Sequence, residues 1–508
     1  VADEVLAPLR FAAAPNGEQT QARSGRFEPG APDWVYLPVQ VPDGVREISV
    51  AYRYDRPTPP PGMPENALDL GVFDDRGIGP GAAAGFRGWS GGSRDRFTIS
   101  GSRATPGYLP GPVRSGTWHV LLGPYTVAPQ GMDWTVEVTL RFGAPEPELA
   151  PEYAPEYAPA RAAGPGPAWY RGDMHLHTVH SDGQLLPTQA AAGARAAGLD
   201  YIVSTDHNTS SASRVWGAYA GPELLIIDGE EITTRNGHYL ALGLPAGTWI
   251  DWRYRSADGV FPDFVEQIHA SGALAVASHP FAPCLGCAWK FGYRGLDAVE
   301  VWNGPWTLDD EASVAAWDGA LVAAGSGGAW LPAVGNSDFH GEPQVIGLPH
   351  NVVYADGLDR RSILDGVRAG RLWIAESAAV ELSFTAAVQA GAAIAGVAIA
   401  GAAIAGAESG RSAGVGERLA VPHDVPITVT LAVAGTPGGV VRLVTDEGER
   451  LLAPLPPGGA GTVSWTTTPR NARYVRAEVR RPQHTETTRD TMVALTNPIF
   501  LGALAGPG

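Results

Sequence analysis

Between Tyr201 and His340 the chain repeats one pattern: a short apolar run that ends on, or opens from, a histidine or a carboxylate. Tyr201-Ile202-Val203 leads to Thr205-Asp206-His207-Asn208, and Leu225-Ile226-Ile227 leads to Asp228-Gly229-Glu230-Glu231. Leu274-Ala275-Val276-Ala277 leads to Ser278-His279-Pro280, and Ala333-Val334-Gly335 to Asn336-Ser337-Asp338-Phe339-His340. Gly237-His238 opens the run Tyr239-Leu240-Ala241-Leu242. Apolar runs this short, bounded by turn residues, have the length of buried strands. Barrel enzymes carry their chemistry at the C-terminal ends of their strands. The pattern therefore predicts a barrel-like sheet with a polar rim.

Just upstream, Gly172-Asp173-Met174-His175-Leu176-His177-Thr178-Val179-His180-Ser181-Asp182-Gly183 places His175 and His177 two residues apart. On a strand, residues i and i+2 share a face. Both imidazoles can then bind one metal, and Asp182, just beyond, can bind a second ion nearby. A lone His-x-His is a weak signal, but nine of the 12 histidines fall between His175 and His350, and chance does not readily cluster them so. Mixed imidazole and carboxylate donors suit zinc, manganese or iron rather than calcium or magnesium. Neighbouring ions of that kind bring a bridging water close to ionisation at neutral pH and stabilise charge on substrate oxygens. These residues point to metal-assisted hydrolysis of a small molecule. No Gly-x-Gly-x-x-Gly or Walker loop follows a predicted strand, so no nucleotide-cofactor fold is expected.

At 508 residues the chain exceeds one ordinary domain, and two to four are expected. The net charge of −17 disfavours a nucleic-acid partner, since phosphate backbones are gripped by clustered Lys and Arg. It leaves room for a phosphorylated small molecule, because metal ions can supply the positive field. The sequence starts at Val1, which reads as a processed or truncated chain; a soluble cytoplasmic protein and an exported one both stay open. Ala390 to Ala407 is uncharged but mostly Ala and Gly, with Ile394, Ile399 and Ile404 at period five. That is too weakly hydrophobic for a membrane span and reads as a duplicated insertion in a loop or strand edge.

Residues 1–143 read as β-structure. Val35–Val41, Glu47–Tyr52, Trp118–Leu122 and Trp134–Leu140 are strand-like, with Gly, Pro and Asp clusters between them, as in a β-sandwich or jelly roll. Phe86-Arg87-Gly88-Trp89-Ser90-Gly91-Gly92 is open to two readings, a stacking surface for a ligand or a loop that packs on the barrel. Residues 144–168 carry a tandem Pro-Glu-Tyr-Ala repeat and read as a stiff, extended linker. Residues 379–508 return to β-structure: Ile427–Leu431 and Tyr474–Val479 alternate, which suggests an immunoglobulin-like sandwich.

Taken in order, His175-x-His177 with Asp182, Thr205-Asp206-His207, Gly229-x-Glu231, Gly237-His238, His279-Pro280 and Asp338-x-His340 resemble the motif series of the PHP (polymerase and histidinol phosphatase) domain. The resemblance covers residues 169–378. It implies a distorted (β/α)7, TIM-like barrel holding two or three divalent metal ions, zinc, manganese or iron. It also implies the ligand sets. The first ion would take His175, His177, Glu231 and Asp338. The second would take Glu231 as a bridge with His238 and His279, and the third Asp182, His207 and His340. Glu230 and Glu231 are adjacent and alternate in direction; the Gly-x-Glu spacing favours Glu231. The order of sandwich, barrel and small β domain is similar to the CehA/McbA branch, which includes hydrolases of the carbamate carbaryl.

Cys284 and Cys287 are the two cysteines of the chain, too few for a four-cysteine zinc site. A loop-stapling disulfide, a free or redox pair, and a share in a metal site with histidine all stay open. Lys290 and Arg294 in the same loop could hold an anionic substrate, or could be solvated. Asn303, at the end of Ala298-Val299-Glu300-Val301-Trp302, could line the pocket or close a turn. His180 reads as solvent-exposed, with a proton-donor role as its alternative, and His269 as structural within a helix. Asp206 is expected to orient a neighbouring ligand rather than bind metal. His119, His350, His423 and His484 have no ligand-like company.

The leading expectation is a metal-dependent phosphoesterase in which a metal-bridging hydroxide, with Asp182, Glu231 and His207 around it, attacks phosphorus in line. The alternative directs the same nucleophile at the carbonyl of a carbamate or ester. The third reading is a non-catalytic protein that binds glycans or surfaces, with the barrel as scaffold.

Overall fold

A computed structural model describes residues 3–58, 61–79, 83–156, 167–221, 223–324, 329–389, 411–482 and 490–503. The Ala/Gly-rich insertion, His484 and the last two residues of the Pro-Glu-Tyr-Ala repeat, Tyr157 and Ala158, lie outside these residues. The protein is multidomain and mostly β.

The N-terminal part is two facing sheets. One contains Val35–Val41, Gly116–Thr126, Ala67–Phe73 and Phe86–Gly91, with two short strands near the N-terminus; the other orders Gly17–Phe27, Met132–Phe142, Val45–Tyr54 and Arg96–Ser100. Met132–Phe142 shows why they face each other. Its even-numbered residues Met132 to Phe142 are all buried while the alternate ones are not, the period-two pattern of a strand with one core face. Val136, Val138 and Leu140 join Ile48, Val39 and Trp118 in one apolar core.

The central part is a long curled sheet. From one edge it runs Ala333–Asn336, Ala298–Asn303, Leu274–Ala277, Gly237–Leu242, Leu225–Thr234, Tyr201–Ser204, Ala168–Asp173, His350–Ala355 and Leu372–Ala375. The uniform βα alternation expected of a (β/α)7 barrel is broken. Leu225–Thr234 and Gly237–Leu242 pair antiparallel, as do Ala168–Asp173 and His350–Ala355. The reason for the first break is local. Only Arg235 and Asn236 separate those two strands, and Gly237 takes a φ of 117°. A connection that short turns the chain straight back and cannot carry a crossover helix. Pro187–Ala196, Phe261–Ala270, Leu308–Ala324 and Arg360–Arg368 are α-helical.

The curled sheet is drawn together by side-chain amides standing in for a ladder. Asn351 accepts from the Gly335 N–H at 3.0 Å and donates to the Gly335 carbonyl at 2.8 Å. Asn497 does the same at Ala333, at 2.8 and 2.9 Å. Each satisfies backbone groups that would otherwise be buried without partners on an edge strand.

Several strands past 379 join the central sheet. Leu372–Ala375 pairs with Thr491–Thr496, so the central sheet continues through Tyr474–Arg481 and Val440–Thr445 to Gly448–Pro454. A second, four-stranded sheet built on Glu381–Val388, Ile427–Ala434 and Gly461–Thr467 covers it, with Phe384, Val429 and Leu431 meeting Val441, Leu443 and Val475. Val352, Trp373 and Ala375 of the central sheet are thereby covered rather than exposed.

Both flanking parts bear on the central one. Phe86-to-Gly91 is a buried strand, not a loop, and Phe86 stacks on Trp249 at 4.1 Å. Trp89 and Trp34 meet Trp252 edge-on. This is the packing alternative for that segment, and it leaves those rings no free face for a ligand. Of the linker, Glu152 hydrogen-bonds the backbone of Arg214 and Gly217, so its first half runs along the central part. Among the described residues no helix is long and apolar enough to cross a membrane.

On the C-terminal side, Glu478 bridges Arg476 and Arg480 at 2.6 Å each, and those arginines reach Asp318 and Glu311 of the helix Leu308–Ala324. Burial opposes ionisation of Glu478, but the two guanidiniums win and hold its carboxyl down at about 2. A carboxyl held below its ordinary value adds stability that is complete above that value and is lost as pH falls towards 2. Glu478→Gln leaves each buried arginine with one carboxylate instead of two and is expected to cost about 3 kcal/mol at neutral pH. Urea titrations of the two proteins should show that deficit shrinking as pH falls from about 4.5.

Candidate metal centre

The polar ends of the runs converge on one rim of the curled sheet. His175 and His177 follow the strand Ala168–Asp173, in an extended segment whose Leu176 bridges Phe339. His207 follows Tyr201–Ser204 and bridges Glu231, which lies within Leu225–Thr234. His279 and Asp338 each stand two residues past a strand, Leu274–Ala277 and Ala333–Asn336. His238 comes instead near the start of Gly237–Leu242. Because that strand is antiparallel to its neighbours, its N-terminal end lies at the same rim.

Two of these residues sit in backbone that favours glycine: φ is 24° at His279 and 44° at Asp338. Such positions cost of order 1 kcal/mol or more and persist where the surroundings fix them. The Glu300 carboxylate accepts from the His279 N–H at 2.9 Å, and buried Asp173 accepts from the Ser337 backbone and hydroxyl. Each turn is thus pinned by a buried carboxylate.

The structure brings these side chains into three adjoining groups. His175, His177, Glu231 and Asp338 place one donor atom each within 4.8 Å of the others. Asp338 Oδ1 lies 3.1 Å from His175 Nε2 and 2.9 Å from His177 Nε2. Glu231 Oε2 lies 3.2 Å from His175 Nε2 and 2.8 Å from His207 Nδ1. The other oxygen, Oε1, is 3.2 Å from both His238 Nδ1 and His279 Nε2. Asp182 Oδ1 stands 3.4 Å from His340 Nε2 and 3.6 Å from His207 Nε2, and His177 completes that third group. His238 and His279 are also grouped with Cys287. His175, His177 and Glu231 are wholly buried, whereas Asp182 and His340 are partly open, so the site is deep at Glu231 and accessible at Asp182.

The electrostatics suit a cation. Burial opposes charge on Glu231 and Asp338, yet the surrounding imidazoles, His175 foremost, hold both carboxyls well below their usual range. Burial with His340 and His207 nearby pushes His177 down to about 4. His207 is raised to about 9 against its burial, by Glu231 and Asp182. A ligand carboxylate must be anionic and a ligand imidazole neutral, and the first condition is built in.

Buried polar atoms normally find a partner. Here His175 Nε2, Glu231 Oε2, both ring nitrogens of His238 and His279 Nδ1 are buried without a hydrogen bond among the described residues. They cluster where the three donor groups meet. Imidazole and carboxylate donors left unmatched at these separations fit divalent metal ions.

The supporting residues divide. Asp206 accepts from Thr178 N–H and Oγ at 2.8 and 2.9 Å and from Ser181 Oγ at 2.8 Å, so it braces the turn between His177 and Asp182. Asn303 donates to Glu300 and to Asp338 Oδ2, at 3.0 and 3.2 Å, and so borders the site. Glu230 points away from Glu231 and accepts from the Ile250 N–H; burial raises its carboxyl well above the ordinary value. His180 is buried, not solvent-exposed, with Nδ1 2.8 Å from Ser211 Oγ. Lys290 and Arg294 are exposed and touch none of the cluster; Arg294 lines a separate apolar cavity with Trp317 and Trp330. The loop carrying them turns outward at Gly292 and Gly295, both at positive φ. His269 pairs with Asp297, and His350 bonds the Gly347 carbonyl, both away from the cluster.

Sequence reasoning missed Glu300. It is buried, and it accepts from His175 Nδ1 at 3.2 Å, from the His279 backbone and from Asn303 and Asn336. A carboxylate that takes one imidazole nitrogen fixes the tautomer and turns the other towards the metal. Its signal was a lone charge inside Ala298-Val299-Glu300-Val301-Trp302.

No family model matches the chain. An uncharacterized protein of Methanocaldococcus jannaschii, MJ1587, is 28% identical over 149 residues, covering 26% of this chain and 81% of that protein. A two-domain protein of Bacteroides vulgatus, described as containing a predicted PHP-like metal-dependent phosphoesterase, matches at a TM-score of 0.34 and 16% identity, over 70% of this chain and all of that one. An amidohydrolase of Chromobacterium violaceum matches at 0.26 and 20% identity, over 35% of this chain and 89% of that one. At such scores the correspondence is partial, and the chemistry is read from the side chains.

Glu300→Gln should weaken metal binding about 10–100-fold, the usual effect of losing a carboxylate behind a ligating histidine. Competition against a fluorescent chelator measures it, and unchanged competition would remove Glu300 from the metal's support.

Proposed function

We propose that this protein is a metal-dependent hydrolase of the PHP type, acting on small phosphate esters. The observation that carries the reading is the set of three adjoining donor groups that share Glu231 and His177. His175, His177, Glu231 and Asp338 would hold one ion; Glu231, His238 and His279 a second; Asp182, His207 and His340 a third. The ions, when bound, supply positive charge for the phosphoryl oxygens and a water nucleophile ready near neutral pH.

The chain's own contribution is positioning. Glu231 spans two groups with one oxygen each. Glu300 and Asn303 fix His175 and Asp338, and Asp206 fixes the turn that brings Asp182 to the open side. Three divalent ions would bring six positive charges against four carboxylates (Asp182, Glu231, Asp338 and Glu300), about two in excess. That suits a phosphomonoester dianion without help from arginine or lysine. The reading takes residues 169–378 as a variant of the PHP barrel and residues 379–508 as an immunoglobulin-like unit joined to it.

A second reading, a carbamate or ester hydrolase of the carbaryl-hydrolase kind, has one observation in its favour. Among the described residues no lysine or arginine side chain contacts the candidate ligands, as a site for a neutral carbonyl would allow.

Purified, metal-analysed protein should release p-nitrophenol from p-nitrophenyl phosphate, and a chelator should abolish this. Naphthol release from 1-naphthyl N-methylcarbamate with inert phosphates would select the second reading. His177→Ala and Asp338→Ala should each lower kcat at least about a thousandfold while the β domains stay folded by circular dichroism. Full turnover in either variant would contradict the ligand assignment.

A further inference from the structure

The donor group around His238 and His279 contains a side chain that hydrolysis does not require. Cys287 is buried, and its sulfur lies within 4.8 Å of donor nitrogens of both histidines. It is joined to Cys284 in a disulfide. Cys284 is exposed.

The loop is built to keep Cys287 there. The Gly237 N–H, next to His238, donates to the Gly286 carbonyl at 2.8 Å. Lys290 N–H bonds the Asn236 carbonyl at 3.0 Å, and the Tyr125 hydroxyl donates to the Leu285 carbonyl at 2.7 Å. Gly286 is at positive φ and the Tyr125 hydroxyl stands where a β-carbon would be, so a larger residue would strain the turn. Both ring nitrogens of His238 and Nδ1 of His279 are buried without hydrogen-bond partners among the described residues. A tetrahedral zinc site with Zn–N near 2.0 Å and Zn–S near 2.3 Å separates nitrogen from sulfur by roughly 3.5 Å. A movement of about 1 Å would therefore bring Cys287 into that geometry.

We propose that the Cys284–Cys287 disulfide is a redox gate on this ion: reduction frees Cys287 as a thiolate ligand beside His238, His279 and Glu231. This rests on the reading that those three hold a metal. The step balances. A nucleophilic reductant attacks the exposed sulfur of Cys284, the S–S bond breaks, and the electron pair leaves on Cys287. A dithiol then completes the exchange, becoming a disulfide while Cys284 takes up a proton as a thiol. With three protein donors a zinc-type site keeps an open, reactive position; with four it is closed. The oxidised protein is the open form, and the reduced protein holds this ion more tightly with its reactive position filled.

Cobalt-substituted full-length protein tests this by absorption, since a thiolate on cobalt gives a near-ultraviolet charge-transfer band that histidine and carboxylate do not. The oxidised protein should lack the band. Treatment with a phosphine reductant, which becomes a phosphine oxide as water returns two thiols, should produce it and slow release of one cobalt to a chelator at least about tenfold. Cys284→Ser should show the band without reductant, and Cys287→Ser should never show it. Bound cobalt with no band in either the reduced protein or Cys284→Ser would overturn the gate and leave the metal centre standing. Failure to bind cobalt at all would overturn both.

Discussion

The carboxylate of Glu231 is fully buried between imidazoles on both of its oxygens, His175 and His207 on one side and His238 and His279 on the other. An anion in that position is tolerable only with positive charge around it. His175 and His207, both held above the usual imidazole value by this carboxylate and its acidic neighbours, would supply it as cations, and divalent ions would supply it better. The arrangement of the curled sheet follows from this need. The strands of Glu231, His207, His238 and His279 must be neighbours, and in the sheet Tyr201–Ser204, Leu225–Thr234, Gly237–Leu242 and Leu274–Ala277 lie side by side.

Around that anion the support is layered. Glu300 and Asp173, buried carboxylates outside the donor groups, hold the turns at His279 and Asp338 in backbone conformations they would not adopt alone. Asparagine amides at 351 and 497 supply the missing ladder at the Ala333–Asn336 edge. The aromatic layer of Trp249 and Trp252 against Phe86 and Trp89 anchors the N-terminal sheets to the same body. A site that must hold several donors within about half an ångström needs such rigidity. The flanking β units brace the centre.

Much of the site was legible in the sequence because its signals are periodic or local. His175 and His177 share a face at spacing two, and alternation separates Glu231 from Glu230, as the structure places them. The polar run-ends at His207, His279 and Asp338 mark one rim because the strands there are short and buried. What was illegible depends on long-range placement. Glu300 looked like a stray charge because its histidine partners lie 21 and 125 residues away. Lys290 and Arg294 sit near His279 in sequence, but the loop carries them outward. His180 looked exposed because nothing in its own turn shows that Ser211 covers it. The antiparallel hairpin at Gly237 and the continuation of the central sheet into the C-terminal strands are pairing choices, and residue periodicity is the same for either direction of pairing.

Anomalous diffraction from crystals of metal-loaded protein, collected at the absorption edge of the metal found by elemental analysis, would locate ions around Glu231 without reference to any substrate. Peaks are expected to flank the Glu231 carboxylate, one among His175, His177 and Asp338 and one beside His238 and His279, with a third beside Asp182, His207 and His340. Metal bound elsewhere, or a Glu231 carboxylate with no peak on either side in protein that retains its metal, would contradict that placement.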